Sequence, residues 1–171
     1  MRMPGTPVLT ASKMRLFLVF LMFCGSISAA ELTAKQEMDI YALAYGQYGS
    51  RHGGIPLPTK PQVFIETPEN ICTALGKERG CAWYGYYLNG AVTISNTLDF
   101  AAALDASKLL HEYVHHLQVQ HGGPTKDCLT YLQREYEAYS IQAHVLEKVG
   151  EYLNARRVMF TAAAVYCGDL P

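Results

Sequence analysis

The chain has 171 residues, of which 50% are hydrophobic and 17% are charged, and its formal net charge is −1. This length and composition predict one globular domain with its own core and exclude a low-complexity chain. Basic residues form no cluster beyond the first thirty residues, so nucleic acid is not an expected partner.

The first thirty residues have the pattern of a signal peptide. Three basic residues precede an apolar run over 16–23, and Ser28-Ala29-Ala30 supplies the small residues of a cleavage site after Ala30. The apolar run is shorter than the roughly 20 residues of a membrane span, so we expect no stable membrane anchor after cleavage; an uncleaved anchor is the alternative. The sequence therefore predicts a secreted or periplasmic protein, with residues 31–171 as a single domain.

Four cysteines remain after the predicted cleavage, and an even number in an exported chain predicts two disulfides. We expect Cys72 to pair with Cys81, which is close in sequence. Cys128 would then pair with Cys167 and tie together the last helices. Cysteine ligands to a metal are not favoured, because the chain has no C-x-x-C pair.

The first half of the remaining chain predicts a helix, a loop, a strand and a second helix. Thr33 followed by Gln36 has the pattern of a capping box, which begins a helix. The elements are a helix to about Tyr48, a Gly- and Pro-rich loop over 49–61, a strand at 63–65 and a short helix from Thr67 to about Leu75.

Asn89-Gly90 stands between two runs of strand-forming residues, at 82–88 and 91–95. Asn-Gly between such runs is a strong signal of a β-hairpin, because both residues adopt positive φ in a two-residue turn. We expect the hairpin to form a small antiparallel sheet with the 63–66 segment.

The second half of the chain predicts a bundle of three helices. Asp99 or Asp105 can begin the first helix, and Gly122-Gly123-Pro124 ends it. Thr125 or Asp127 can cap a long helix to about Val149. A last helix follows over 151–167. The predicted fold class is therefore α+β, a small antiparallel sheet followed by a helical bundle.

The first helix of this bundle contains His111-Glu112-x-x-His115. Residues four apart lie on one face of a helix, so both imidazoles can point at one ion. Glu112 is displaced about 100° around the axis, where a carboxylate can act as general base on a water beside the ion. Two imidazoles with one further donor and an open position form a catalytic Zn2+ site, although manganese or cobalt can use the same ligands.

The third ligand must come from another element, and the next helix offers Glu135 and Glu137. A short loop makes that helix a neighbour of the motif helix. The two glutamates are two positions apart and cannot share one helix face, so only one of them can be the ligand.

The motif resembles that of the gluzincin metallopeptidases, in which H-E-x-x-H is followed about twenty residues later by a helical glutamate and a small residue. It is also similar to small bacterial exported proteins with an H-E-x-x-H-H-x-Q helix. Glu137-Ala138 matches the gluzincin pattern, whereas Glu135-Tyr136 does not. The resemblance implies a minimal gluzincin-like zinc peptidase that acts on a peptide or protein substrate. It implies the metal ligands His111, His115 and Glu137, the general base Glu112, and an edge strand at Val92–Ser95 for the substrate.

The chain departs from zincin patterns in two respects. It has no third histidine at the metzincin spacing, and it has no downstream domain to supply a donor for the developing oxyanion. His144 lies seven residues after Glu137, on nearly the same helix face, and is the candidate donor. Other candidates are Tyr139, Tyr136 and His121.

Two other functions fit the same residues. The first is a non-catalytic exported domain with a structural or sequestered metal, in which His144 or Glu135 closes the site as a fourth ligand. The second is an inhibitor or binding module on the same scaffold. His116 points about 100° away from His115, and we expect it to pack or form hydrogen bonds rather than bind the metal.

Overall fold

The computed structural model describes residues 31–77, 81 and 83–153. The elements in chain order are α1 (Ala34–Arg51), β1 (Gln62–Glu66), α2 (Pro68–Ala74), β2 (Gly85–Leu88), β3 (Ala91–Ser95), α3 (Ala103–Gly122) and α4 (Cys128–Lys148). This arrangement confirms the predicted α+β class. None of the helices in these ranges is both long and apolar enough to cross a membrane.

Two predicted elements lie outside the described residues. They are the signal peptide at 1–30 and the greater part of the last helix, from residue 154 onward. The three described residues of that predicted helix, 151–153, are not helical.

The three strands form a mixed sheet in the order β1-β3-β2. β2 and β3 are antiparallel, whereas β1 runs parallel to β3, with Gln62 opposite Ala91 and Glu66 opposite Ser95. The prediction of an entirely antiparallel sheet was therefore wrong. The segment between β1 and β3 contains α2 and β2, and it is long enough for the crossover that a parallel pair requires.

The predicted edge strand at Val92–Ser95 was also wrong, because β3 is the central strand and β2 is the edge strand beside α3. The hairpin itself is confirmed: Asn89 and Gly90 have φ of 51° and 86°. Ser95 N donates to Tyr84 O, at 2.8 Å. Because hydrogen-bonded and non-bonded positions alternate in an antiparallel pair, the backbone N–H of Tyr87 faces away from β3, on the open edge.

Helix α3 runs through the middle of the domain and packs against α1, α4, β2 and β3. Its apolar side chains are fully buried at Leu109, Tyr113, Val114 and Leu117. They join one core with residues of α1, the sheet and α4, including Tyr41, Ala44, Val92, Ile94, Ala138 and Ile141. The apolar face of the motif helix is therefore buried in this core.

The helix ends follow the sequence signals in part. α1 begins with the predicted capping box of Thr33 and Gln36. The cap of α4 is Asp127, whose carboxylate accepts from the backbone N–H of Thr130, at 2.7 Å. The cap of α3 is Ala102, which is neither of the two predicted aspartates; Asp105 lies in the first turn.

One of the two predicted disulfides, Cys72–Cys81, is present. It joins α2 to the segment before β2. Cys128 is also disulfide-bonded, and its predicted partner Cys167 lies outside the described residues.

Candidate metal centre

His111 and His115 lie one turn apart on α3 and face each other closely. Their Nε2 atoms are 3.0 Å apart, and the ring centroids are separated by 4.7 Å. His111 is buried, and His115 is half-buried. His111 is 6% exposed and the side chain of His115 is 18% exposed, so both imidazoles are largely shielded from solvent.

Helix α4 brings the carboxylate of Glu135 to the two imidazoles. Its oxygens lie 3.4 Å from His111 Nε2 and 3.1 Å from His115 Nε2. One ligand atom from each of the three side chains lies within 4.8 Å of the other two, so the group could hold a metal ion. Among the described residues, this is the group of His, Cys, Asp or Glu side chains that meets this distance criterion.

The structure differs here from the expectation that Glu137 is the third ligand. The carboxylate of Glu137 contacts His52 Nε2 at 2.7 Å and accepts from Gln118 Nε2 at 3.0 Å. Two residues correspond to about 200° around a helix, so Glu135 and Glu137 must face different neighbours. Glu135 is 7% exposed, and the side chain of Glu137 is 23% exposed.

The phase of the apolar residues in α4 is the sequence signal that favours Glu135. Ala138 and Ile141 are fully buried and mark the inner face. At about 100° per residue, Ile141 lies nearer to Glu137, but the buried side chains of Gln142 and Leu146 each lie about 20° from Glu135 and at least about 140° from Glu137. The Glu-Ala pattern of the gluzincins had selected Glu137, which is the outer of the two glutamates.

The three side chains shift each other's protonation. Burial by itself would lower the pKa of His115, but the Glu135 carboxylate raises it to about 9. Burial by itself would raise the pKa of Glu135, but the imidazoles of His115 and His111 hold it well below its usual range. Without a metal ion, these shifts favour a proton on the His115 imidazole, beside the ionised Glu135 carboxylate. A metal ion that binds the two side chains would displace this proton.

Glu112 lies beside this group and is not one of its three members. Burial raises the pKa of the Glu112 carboxyl, an effect that Glu135 reinforces and that His111 and His115 oppose. The backbone of Tyr87 also lowers this pKa. The open edge of β2 thus meets the motif helix at Glu112.

The outer nitrogens of the two histidines have different surroundings. His115 Nδ1 lies 2.9 Å from Gln118 Oε1. His111 Nδ1 is buried and has no hydrogen-bond partner among the described residues. The Tyr139 ring packs on the His111 ring, with centroids 4.2 Å apart. Tyr139 also interacts with other groups.

His144 is not brought to the group. It is exposed, and it lies nine residues after Glu135, which corresponds to about 180° around α4. The prediction that His144 is the oxyanion donor assumed that Glu137 binds the metal, because these two residues lie on nearly the same face of the helix. Tyr139, four residues after Glu135, is the predicted candidate that the structure places against a histidine of the group.

The remaining candidates have other contacts. Tyr136 is 47% exposed, and His121 Nδ1 lies 3.3 Å from the Tyr48 hydroxyl. His116 is buried, with Nε2 2.9 Å from Thr59 O and Nδ1 3.3 Å from the Tyr87 hydroxyl. Burial lowers the pKa of His116, against the effect of the Thr59 carbonyl, so this histidine packs and forms hydrogen bonds in the core.

The chemistry of the three donors fits a divalent transition metal. Two imidazole nitrogens and one carboxylate oxygen form a common set of ligands for Zn2+, and three protein ligands leave one position open. No family model, curated protein or solved structure matches this chain. The case for a metal centre therefore depends on the motif and on the geometry of these side chains.

Proposed function

We propose that this protein is a zinc-dependent peptidase in which His111, His115 and Glu135 bind the ion and Glu112 is the general base. One observation carries the proposal. Three converging donors from two helices lie beside a second carboxylate, that of Glu112, which is not one of them.

The number of donors favours a catalytic site over a structural one. A structural zinc site is closed by four protein ligands, whereas a catalytic site keeps a position for water or substrate. The described residues supply three ligand atoms within 4.8 Å of one another. The half-buried carboxylate of Glu112, which is not one of these donors, supplies the base that hydrolysis needs.

Glu112 performs the proton transfers of the proposed reaction. Bound zinc would supply Lewis acidity toward a carbonyl oxygen and would lower the pKa of water in the site. Glu112 accepts the proton from the attacking water and then donates it to the departing amide nitrogen. The Tyr87 backbone lies near enough to this carboxyl to lower its pKa, which favours the ionised form that a general base needs.

The open edge of β2 favours an extended peptide as the substrate. Gly85 and Tyr87 occupy the positions of β2 whose backbone groups face away from β3, beside α3. An extended chain can pair with such an edge by main-chain hydrogen bonds to the carbonyl groups of Gly85 and Tyr87, since the Tyr87 N–H faces Glu112. The secreted or periplasmic location is a prediction from residues 1–30 and is part of the same proposal.

The test compares the wild-type chain from residue 31 with Glu112→Gln, His111→Ala and Glu135→Gln. Zinc content is measured by elemental analysis, and cleavage is measured on a mixed peptide library by mass spectrometry. We expect one zinc per chain in the wild type, and zinc with at least about 100-fold slower cleavage in Glu112→Gln. We expect little zinc in the other two variants.

The matched control is Glu147→Gln, which changes an exposed glutamate of α4 in the same way. It should retain both zinc and cleavage. Absence of zinc from the wild type would overturn the metal site. Unchanged cleavage by Glu112→Gln would overturn the role of the base, and bound zinc without any cleavage would leave a metal-binding domain.

A further inference from the structure

We propose that Gln118 and Glu137 form a positioning relay that holds His115 with Nδ1 protonated and Nε2 free for the ion. This inference rests on the proposed metal site, and it assigns roles to two residues that are not ligands. The relay runs from His115 through Gln118 to Glu137 and ends at His52 of α1.

The orientation of the Gln118 amide is fixed by two acceptors. Its nitrogen donates to Arg134 O at 2.9 Å and to Glu137 Oε2 at 3.0 Å. A carbonyl and a carboxylate can only accept, so the amide nitrogen must face them. The amide oxygen then faces His115.

This orientation decides which nitrogen of neutral His115 carries the proton. Gln118 Oε1 lies 2.9 Å from His115 Nδ1, and an amide oxygen can only accept. Nδ1 must therefore carry the hydrogen, and Nε2 keeps its lone pair. Nε2 is the atom that faces His111 and Glu135, at 3.0 and 3.1 Å.

Glu137 is itself held from the side opposite to Gln118. Its other oxygen lies 2.7 Å from His52 Nε2, and His52 is the C-cap of α1. The Tyr48 ring packs on the His52 ring with centroids 4.3 Å apart. Three helices thus contribute to the position of one imidazole.

The relay makes His115 the more firmly oriented of the two histidine ligands. His111 Nδ1 has no partner among the described residues, whereas His115 Nδ1 has one that is fixed in turn. Partners of this kind set the tautomer and ring orientation of a ligating histidine, and their loss typically costs 10- to 100-fold in metal affinity.

The first test measures zinc affinity by competition with a chelator in Gln118→Met, Glu137→Ala and the double variant. Methionine keeps the length of the side chain and removes both hydrogen-bonding groups. We expect Gln118→Met to weaken zinc binding by about 10- to 100-fold and Glu137→Ala to weaken it less. The double variant should match Gln118→Met, because Glu137 acts through Gln118.

Two exposed residues of α4 provide matched controls, Gln133→Met and Glu147→Ala, and both should bind zinc like the wild type. Equal affinity of Gln118→Met and wild type would overturn the relay. Fully additive losses in the double variant would overturn the role of Glu137 within it.

The second test reads the tautomer of His115 directly from 15N chemical shifts and long-range 1H–15N correlations. It uses metal-free protein at a pH at which the 15N shifts themselves show that the His115 ring is neutral. We expect protonated Nδ1 in the wild type and a mixture of tautomers in Gln118→Met. Protonated Nε2 in the wild type would overturn the relay. This test needs no metal. A failure to bind zinc would therefore overturn the proposed function, whereas the tautomer of His115 would still confirm or overturn the relay.

Discussion

At the scale of single residues, Gly85 shows how tightly β2 lies against β3. A Cβ atom at this position would meet Ile94 Cδ1 at 2.6 Å and Thr93 O at 2.8 Å. The backbone oxygen cannot move without disturbing the pairing of the strands, so any side chain pushes β2 outward. The same strand brings the backbone of Tyr87, two residues along, to Glu112, where it lowers the pKa of the carboxyl.

We therefore expect Gly85→Ala to lower the free energy of unfolding by about 1–3 kcal/mol, as overpacking does in well-packed regions. Urea denaturation measures this change. The control is Gly46→Ala, in the middle of α1, where an added Cβ meets nothing within 4 Å. It should raise stability by about 0.5–1 kcal/mol, because alanine is the better helix former. Equal stability of the Gly85→Ala variant and the wild type would contradict the close packing of β2 on β3.

Residues of the site differed in how well the sequence predicted them. His111, Glu112 and His115 lie within five residues on one helix, and local geometry brings them together. Glu135 reaches them only through the packing of α4 on α3, which depends on the rotation of α4 about its axis. Gln118 was expected to form hydrogen bonds between the two helices, and it does so, but its partner Glu137 depends on the same rotation.

At the scale of elements, the local signals located the helices and the hairpin well. The capping box of α1, the Asn89-Gly90 turn and the glycines at the end of α3 act over a few residues, and each appears where it was predicted. The direction of β1 depends on its partner. The residues of a short strand such as 62–66 do not determine whether it pairs in the parallel or the antiparallel direction. The parallel pairing of β1 with β3 could therefore not be predicted.

The disulfide between Cys72 and Cys81 closes a short loop between α2 and β2. We expect Cys72→Ser with Cys81→Ser to lower the free energy of unfolding by roughly 2–3 kcal/mol, by the loop-closure entropy of a loop of this length. Zinc affinity should not change, because neither cysteine contacts the three ligands. Thr73→Ala, which removes one exposed hydrogen bond on α2, is the control. A large loss of zinc in the double variant would contradict the independence of the two regions.

At the scale of the whole molecule, the proposed ion would connect the two longest helices described. α3 supplies two ligands and α4 supplies one, and these helices also share apolar contacts at Leu117, Ala138 and Ile141. A ligand that binds only the folded chain stabilises it in proportion to the logarithm of its concentration. The site is therefore expected to contribute to stability as well as to chemistry.

We expect zinc at about 100 times its dissociation constant to add about 2.7 kcal/mol to the free energy of unfolding. For a chain of this size the Tm should rise by about 2–4 °C per kcal/mol, and a chelator should reverse the rise. Differential scanning calorimetry with and without zinc measures the shift. His111→Ala should show none of it. The same Tm in both conditions for the wild type would contradict an ion shared by α3 and α4.

The parallel pairing of β1 with β3 also determines the order in which the sheet can assemble. β2 and β3 are joined by two residues, so their contacts cost little chain entropy and can form first. β1 must wait until the segment with α2 and β2 has folded back, because Gln62 meets Ala91 only across that whole segment. The edge that bears Tyr87 is thus complete before the opposite edge joins, and the last strand to arrive is the one farthest from Glu112.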